Sequence, residues 1–361
     1  MRIQNLYLIF FIFNQYDEIL MKLYSKKQSN YSILGIKRLA SAKEIILATE
    51  SGSVERIQEI VNENSRWKDA SKWISIIDKK GRTPLHLAAY HGHLELTRFI
   101  VHQLFESVLD NELRKQYVNL KDKKGRTPLF HAAAHGKYYV VRTLVERGVD
   151  LDAETNETHA APGSTAIMAC AENNHLTCFE YLLDRGADLL AKRSDGADAY
   201  YLASMNGNTR IVKSIVTTEL IRIVCHDILD KPTFRGRTPL STAAFHGHLE
   251  IVKLLFQRGA QINHRDDDEF TPLILASYEG HLKVVKWLLR NGANLSDVDK
   301  FGDTALESAE ICGHSEVASF LNKWGDVKNN PGLRKESVVY KPQRFKNMLK
   351  NSKSIILANF R

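Results

Sequence analysis

Histidine is the residue type whose number and spacing first suggest chemistry in this chain. Fourteen histidines are present, and two His-Gly-His triplets, His91–His93 and His246–His248, would suit a zinc or copper site. Ten of the fourteen, however, occupy recurring positions of a repeated sequence pattern. We therefore interpret these histidines as structural residues and predict no metal site.

Other combinations of reactive residue types also lack the arrangement that their chemistry requires. The acidic run 266–269 has neither the spaced ligands nor the glycine of a calcium loop, so it indicates a solvated turn. Cys225, His226 and Asp227 are consecutive, whereas a catalytic triad converges only in space. Phosphate-binding, dinucleotide-binding and zinc-protease motifs are absent from the sequence. The sequence therefore predicts a protein that is not an enzyme and uses no cofactor or small-molecule substrate.

The strongest pattern is a repeat built around the phrase Gly-Arg-Thr-Pro-Leu. The phrase occurs at Gly81–Leu85, Gly125–Leu129 and Gly236–Leu240. Divergent copies begin at four further positions, which are Gly163, Gly196, Glu269 and Gly302. Three of the six steps between successive copies are 33 residues, and the longer steps indicate insertions near 102–117, 154–162 and 217–235. A fixed period of this size is typical of stacked supersecondary units.

One unit without an insertion shows what the repeat encodes. Thr271-Pro272 predicts a helix start, because threonine caps free amide groups and proline suits the first helical position. Gly280 predicts the end of that helix, and residues 281–290 predict a second helix with apolar residues at three- and four-residue spacing. Both helices are too short to be stable alone, so the units must stack on one another.

This pattern resembles the ankyrin repeat, Gly-x-Thr-Pro-Leu-His-x-Ala-Ala-x-x-Gly-His. Residues Gly81–His93 match it closely, and Gly236–His248 departs from it only at Ser241. The resemblance covers roughly residues 41–325 and implies an all-α ankyrin-repeat solenoid of about eight units, including degenerate caps. Its units would be helix-turn-helix elements joined by β-hairpin-like turns. It also implies that the histidines bond to backbone groups and tie adjacent turns together.

Two repeats depart from the family pattern. Asp198 stands where threonine is expected, so we predict that the following helix is less firmly capped. Glu307 and Glu310 replace the usual histidine and alanine of the last unit, and this polarity suits a terminal repeat that faces water.

The resemblance implies that another protein binds in a concave groove lined by the turns and the first helices. Residues just before each helix-ending glycine are expected to face that groove. The candidates are Tyr90, His91, His135, Met205, Phe245, His246, Tyr278 and Glu279. Exposed aromatic residues are frequent binding anchors. The alternative is that these aromatic residues only cover neighbouring helices.

The turns themselves differ in charge along the chain. The early turns are basic, with Lys79, Lys80, Arg82, Lys123, Lys124 and Arg126. The late turns are acidic, with Asp267, Asp268 and Asp303 among their carboxylates. We predict a bipolar surface that would fix the direction in which a charged partner lies.

The chain ends differ in composition from the array. Residues 327–361 hold nine Lys/Arg against Glu336 alone, which accounts for the whole net charge of +8. We expect 326–361 to be a mostly disordered basic arm, able to contact an anionic membrane or nucleic acid weakly. Residues 1–40 include the apolar run Leu6–Phe13, which is shorter than the roughly 20 residues of a membrane span, so we expect a cap or a disordered segment.

The cysteines bear on the compartment. Four are present, and none has the paired spacing of a disulfide framework or a zinc site. A reducing compartment is favoured, which is the cytoplasm or alternatively the nucleus.

The sequence leaves three functions open. The first is a scaffold or adaptor that binds a protein partner. The second is an adaptor attached to membrane or RNA by the basic arm, and the third is a regulatory ankyrin segment of a larger channel or enzyme.

Overall fold

A computed structural model describes residues 33–63, 67, 69–156, 162–217 and 229–327. These residues belong to two units, of which the first ends at Ile45 and the second begins at Ile46. The second unit contains the repeat array. The predicted basic arm beyond residue 327, the apolar run Leu6–Phe13 and most of the 154–162 and 217–235 insertions lie outside the described residues.

The described residues form eighteen α-helices and no extended strand. In chain order they are α1 (Ile33–Ser51), α2 (Val54–Glu63), α3 (Ala70–Ile74), α4 (Pro84–His91), α5 (Leu94–Ser107), α6 (Asn111–Val118), α7 (Pro128–Ala134), α8 (Tyr138–Val145), α9 (Ala166–Glu172), α10 (Leu176–Asp184), α11 (Ala199–Met205), α12 (Thr209–Thr217), α13 (Pro239–Phe245), α14 (Leu249–Gln257), α15 (Pro272–Tyr278), α16 (Leu282–Arg290), α17 (Ala305–Ile311) and α18 (Ser315–Val327). The all-α ankyrin-repeat solenoid predicted from the sequence is confirmed.

The first helices of successive repeats (α4, α7, α9, α11, α13, α15 and α17) pack directly on one another. The second helices, α5, α8, α10, α12, α14, α16 and α18, form a second row. Small and aliphatic side chains fill the space between first helices, as at Ala88, Ala132 and Leu240, each of which is fully buried. Burial of one leucine side chain contributes about 1.5–3 kcal/mol. Short helices are therefore stable only as members of the stack.

Threonine followed by proline starts four of the seven first helices, α4, α7, α13 and α15, as the sequence predicts. The backbone N–H of His86 donates to Thr83 Oγ1 at 3.4 Å, immediately before the proline that opens α4. The prediction for Asp198 is wrong, because its carboxylate accepts a hydrogen bond from the backbone N–H of Tyr201 at 2.8 Å. Among the first helices, the one whose N-cap makes no side-chain hydrogen bond is instead α9, which follows Thr165.

Glu307 has a local role in the last repeat. Its carboxylate accepts a hydrogen bond from the backbone N–H of Thr304 at 2.7 Å and thereby completes a capping box on α17. Both Glu307 and Glu310 are exposed.

Histidines at the start of the second helices bind the preceding repeat. In each case the ring Nε2 lies next to the carbonyl oxygen two residues before a helix-ending glycine. The pairs are His93 with Glu50 at 3.0 Å, His175 with Ala134 at 3.1 Å, His248 with Met205 at 3.0 Å and His281 with Phe245 at 2.9 Å. Carbonyls at the end of a helix lack partners within it, so these rings satisfy acceptors that stacking would otherwise bury unpaired. The structural interpretation of these histidines is confirmed.

The repeat whose first helix ends before Asn174 uses two asparagines at this contact. Asn174 takes the place of the helix-ending glycine and has a positive φ of 61°. The residue stacked on that repeat is Asn208 rather than histidine, and its Nδ2 donates to the carbonyls of Ala171 at 2.6 Å and Glu172 at 3.0 Å. An asparagine side chain therefore makes the hydrogen bonds between repeats where asparagine replaces the helix-ending glycine.

The first long step of the repeat contains additional helix. Helix α5 has 14 residues, and α6 follows it before the next hairpin. Arg114 of α6 donates to the carbonyls of Phe105 at 2.6 Å and Val108 at 2.5 Å, which fixes α6 to the end of α5.

Candidate protein-binding surface

Two hairpins that precede α4 and α7 have the identical sequence Asp-Lys-Lys-Gly-Arg-Thr-Pro-Leu, at 78–85 and 122–129. In the first hairpin, Asp78 Oδ1 accepts hydrogen bonds from the backbone N–H groups of Lys80 and Arg82, both at 2.8 Å. The guanidinium of Arg82 pairs with Asp78 Oδ2 at 2.7 Å. The aspartate therefore shapes the turn and neutralises the arginine.

The second hairpin repeats this arrangement. Asp122 Oδ1 accepts from the backbone N–H groups of Lys124 at 2.9 Å and Arg126 at 3.0 Å, while Arg126 pairs with Asp122 Oδ2 at 3.0 Å. His131 Nε2 lies 3.0 Å from the same carboxylate oxygen. Burial alone would raise the pKa of Asp122, but the hydrogen bond from His131 and the bonds and charge of Arg126 hold that pKa well below its usual range. The predicted binding residues Arg82 and Arg126 are thus already engaged within their own hairpins.

The lysines of both hairpins are exposed. In the described part of the chain, the side chains of Lys79, Lys80 and Lys123 have no hydrogen-bond or ion-pair partner. A backbone hydrogen bond from Lys123 N–H to the Lys80 carbonyl, at 3.0 Å, joins the two hairpins side by side. The array therefore presents a strip of positive charge that spans two repeats.

An aromatic cluster lies beside this strip, formed by Tyr90, His91, His131 and His135; we call it the Tyr90 cluster. The Tyr90 ring centroid lies 4.2 Å from that of His135, 4.9 Å from that of His91 and 5.9 Å from that of His131. The guanidinium carbon of Arg82 lies 5.6 Å from the same centroid. His91 and His135 are exposed and Tyr90 is half-buried. Three predicted groove residues and the basic hairpins thus form one continuous surface.

The remaining predicted groove residues have other surroundings. Phe245 is only 7% exposed, under the guanidinium of Arg237 at 5.1 Å, so it is a core residue and not an exposed anchor. His246 is half-buried, and burial together with the charge of His248 lowers its pKa to about 4.

Tyr278 is half-buried as well, and burial followed by the nearby Cys312 raises its pKa to about 12. Met205 is half-buried and Glu279 is exposed. These residues lie on later repeats, away from the Tyr90 cluster in sequence.

Part of the predicted acidic charge of the late turns is compensated by ion pairs. Asp268 pairs with Lys300, and Asp266 pairs with Arg237 at 3.2 Å. Asp303 is half-buried, and burial together with the carboxylates of Asp299 and Glu307 raises its pKa to about 6. Asp267 is exposed. The late half therefore offers less free negative charge than the composition of its turns predicts.

Sequence reasoning missed a cleft on the second helices. The cleft has a volume of about 790 Å³ and lies between α2, α5 and α8, with Phe99, His102, Tyr139 and Arg142 in its wall. Tyr139 is 65% exposed. The sequence signal for this cleft is weak and consists of the adjacent Tyr138 and Tyr139. Only one of two neighbouring helical residues can face the stack, so the other tyrosine must lie at the surface.

Among the described residues, no three or more His, Cys, Asp or Glu side chains are grouped as a metal site. In the same part of the chain, every helix is too short or too polar to span a bilayer.

Comparison with known proteins identifies related sequences. The family described as ankyrin repeats (3 copies) matches residues 45–155 and 104–193. The family described as ankyrin repeats (many copies) matches residues 240–289 and 275–321. Together these matches cover more than half of the chain.

Individual relatives match only in part. Alpha-latrocrustotoxin-Lt1a of Latrodectus tredecimguttatus is 25% identical over 199 residues, which are 54% of this chain and 13% of the toxin. E3 ubiquitin-protein ligase XBAT32 of Arabidopsis thaliana is 27% identical over 145 residues, 34% of this chain and 27% of the ligase. The chain thus spans less than a third of either relative. The crystal structure of the human ASB11 ankyrin repeat domain has a TM-score of 0.55 and 25% identity, and the match covers 67% of this chain and 97% of that domain.

Proposed function

The chain belongs to the ankyrin repeat family, and from that premise we propose that it is a non-enzymatic scaffold or adaptor for another protein. The partner would bind the face formed by the hairpins and the first helices. We place the protein in the cytoplasm or, alternatively, in the nucleus, because its cysteines suit a reducing compartment.

The observation that supports this proposal best is the position of the Tyr90 cluster beside the two hairpins at 78–85 and 122–129, whose lysines are exposed. Tyrosine and arginine are enriched among the residues that dominate binding energy, and a charged rim around an aromatic centre is a common interface arrangement. The surrounding Leu85, Ala88 and Ala89 are buried in the stack. The fold therefore supplies a rigid base on which these exposed groups differ from one repeat to the next.

Crosslinking mass spectrometry on the full chain tests the proposal. We expect captured proteins to crosslink to Lys79, Lys80 and Lys123. We also expect a Tyr90→Ala, His135→Ala double variant to lose capture by about tenfold or more, since a centrally placed anchor contributes about 2 kcal/mol. Tyr139→Ala is the matched control, because Tyr139 is an exposed tyrosine on the second-helix row. Equal capture by the Tyr90 and Tyr139 variants would refute the assignment of the binding face.

A second candidate function follows from the composition of residues 327–361, where nine Lys/Arg face Glu336 alone. Such a segment would attach the protein electrostatically to an anionic membrane or RNA while the repeats hold a partner. Deletion of 327–361 should then abolish vesicle or RNA binding, and binding by the full chain should fall steeply with added salt. Unchanged binding after the deletion would exclude this function.

A third candidate is a regulatory ankyrin segment of a larger enzyme or channel. The partial match to a protein named as an E3 ubiquitin ligase favours this possibility. Sequencing of transcripts across the codon for Arg361 would test this candidate, because it requires an open reading frame that continues beyond that codon.

A further inference from the structure

We propose that the two identical hairpins at 78–85 and 122–129 bind an acidic segment in the polyproline II conformation, with a carboxylate at every third residue. This inference rests on the proposed scaffold function and specifies the chemistry of its partner. It follows from three observations, which are the charge that each hairpin leaves exposed, the spacing of the hairpins and the aromatic cluster beside them.

The first observation is that each hairpin exposes lysines and conceals its arginine. Asp78 and Asp122 pair with the arginines of their own turns, and these ion pairs are largely shielded from solvent. Lys79, Lys80 and Lys123 carry the charge that remains for a partner. Because the two hairpins have the same sequence, Lys79 and the equivalent Lys123 are offered to a partner one repeat apart.

The second observation is the spacing of these groups. Each hairpin contributes two chain segments, joined in the first hairpin by Asp78 N–H to the Arg82 carbonyl at 2.9 Å. The Lys123 N–H to Lys80 carbonyl bond at 3.0 Å joins the neighbouring hairpins. Hydrogen-bonded segments lie about 4.8 Å apart, so the backbones of the equivalent Lys79 and Lys123, which are two such steps apart, are separated by about 9.6 Å.

A polyproline II segment matches this distance. It rises about 3.1 Å per residue with three residues per turn, so residues i and i+3 lie on one side, about 9.3 Å apart. In a β-strand, residues on one side lie about 6.6 or 13 Å apart, so neither spacing fits.

The third observation is the Tyr90 cluster itself. Polyproline II segments are recognised by aromatic residues that pack against proline rings. Arg82 connects the two features, since it belongs to the first hairpin and its guanidinium carbon lies 5.6 Å from the Tyr90 ring centroid. A segment that follows the lysines therefore passes beside partly exposed aromatic rings.

The extent of the positive strip favours a peptide over nucleic acid. The next hairpin presents Asn156, which is neutral, and the exposed Glu154. Asn156 N–H donates to the Lys124 carbonyl at 2.9 Å, so this neutral residue lies next to the second hairpin in space. Nucleic-acid sites that track a phosphate backbone need a longer basic path.

Fluorescence anisotropy with the full chain and synthetic peptides tests the proposal. The probe is a labelled peptide that alternates two prolines with one glutamate. A peptide of the same composition, with its glutamates contiguous, tests spacing, and a single-stranded RNA oligonucleotide tests the alternative polyanion. We expect the spaced peptide to bind at least about fivefold more tightly than the permuted one.

Charge-reversed variants test the location. Lys79→Glu with Lys123→Glu should lower affinity for the spaced peptide about tenfold, since like charge is then placed opposite the glutamates. Lys213→Glu with Lys283→Glu changes the net charge equally at exposed lysines of α12 and α16 and should leave affinity unchanged. Circular dichroism would verify that both variants are folded.

Three results would overturn the inference. They are equal affinity for the two peptides, equal loss in the two charge-reversed variants, and displacement of the peptide by RNA at lower concentration than by unlabelled peptide. Crosslinks of a captured protein to the Tyr90 face, obtained together with any of these results, would leave the scaffold function standing and remove only this partner chemistry.

Discussion

The contact between a helix-ending glycine and the histidine of the next repeat permits a quantitative test of how the array is held together. Gly136 has a φ of 63°, and a Cβ added to it would lie 2.4 Å from Nδ1 of His175. Gly148 has a φ of 75°, and an added Cβ would have no neighbour within 4 Å. The two glycines therefore share a left-handed backbone but differ in contact with the next repeat.

Replacement by alanine should separate these two effects. At both positions the left-handed conformation costs about 1–2 kcal/mol for a residue with a Cβ. At Gly136 the collision adds about 1–3 kcal/mol, as overpacking does elsewhere. Displacement of His175 also removes its hydrogen bond to Ala134, which is worth about 0.5–1.5 kcal/mol. We expect Gly136→Ala to reduce the free energy of unfolding by about 2.5–6.5 kcal/mol and Gly148→Ala by about 1–2 kcal/mol.

Urea denaturation followed by circular dichroism measures both values. The gain that alanine brings by restricting the unfolded chain is common to the two variants and cancels in their difference. Adding His175→Ala to the Gly136→Ala variant should restore part of the loss, because the ring that collides is gone. If both single variants have the same denaturation midpoint, the ring contact does not explain the glycine.

Two further predictions concern histidine and its substitutes. Asn208→His should destabilise the protein by about 1–3 kcal/mol, because in the other repeats the histidine ring lies where a Cβ on the helix-ending glycine would be, and Asn174 has a Cβ. Adding Asn174→Gly should relieve that loss, and additive effects in a double-mutant cycle would contradict the coupling. Burial, followed by the nearby charge of His131, lowers the pKa of His86 to about 4. A histidine in the unfolded chain has a pKa near 6.5, so between about pH 4 and 6.5 the unfolded chain binds more protons than the folded one. The free energy of unfolding should therefore fall by up to about 3 kcal/mol as pH drops from about 6.5 to 4, and His86→Gln should flatten this part of the profile measured by urea titration. Parallel profiles for the two proteins would refute the assignment.

Local sequence predicts the elements of this fold because its signals lie within a few residues of the structure they determine. Thr83 precedes the helix that it caps, and His175 adjoins the helix that it anchors. Helix α3, with its buried Trp73, has no counterpart in the repeat pattern and was not predicted. The cleft near Tyr139 was missed for a related reason, since it depends on how three second helices are placed relative to one another.

The candidate site was harder to predict because exposure depends on neighbours distant in sequence. Tyr90 and Phe245 occupy equivalent positions, and each lies under an arginine of its own hairpin, Arg82 or Arg237. Yet Tyr90 is half-buried among histidine rings, while Phe245 is 7% exposed. The repeat pattern places both residues at the same position, so it cannot predict that their exposures differ.

The same reasoning changes the expected electrostatics of the array. Steering of a partner depends on charge that the protein has not neutralised itself. In the early hairpins the aspartates neutralise arginines and leave lysines exposed, whereas in the late hairpins Asp268 is neutralised by Lys300 of the next repeat. Composition alone predicts two opposite poles of similar strength. The pairing instead leaves exposed lysines at the first two hairpins, next to Tyr90, and reduces the free negative charge of the late hairpins. An acidic partner would therefore be oriented mainly by attraction at the early end.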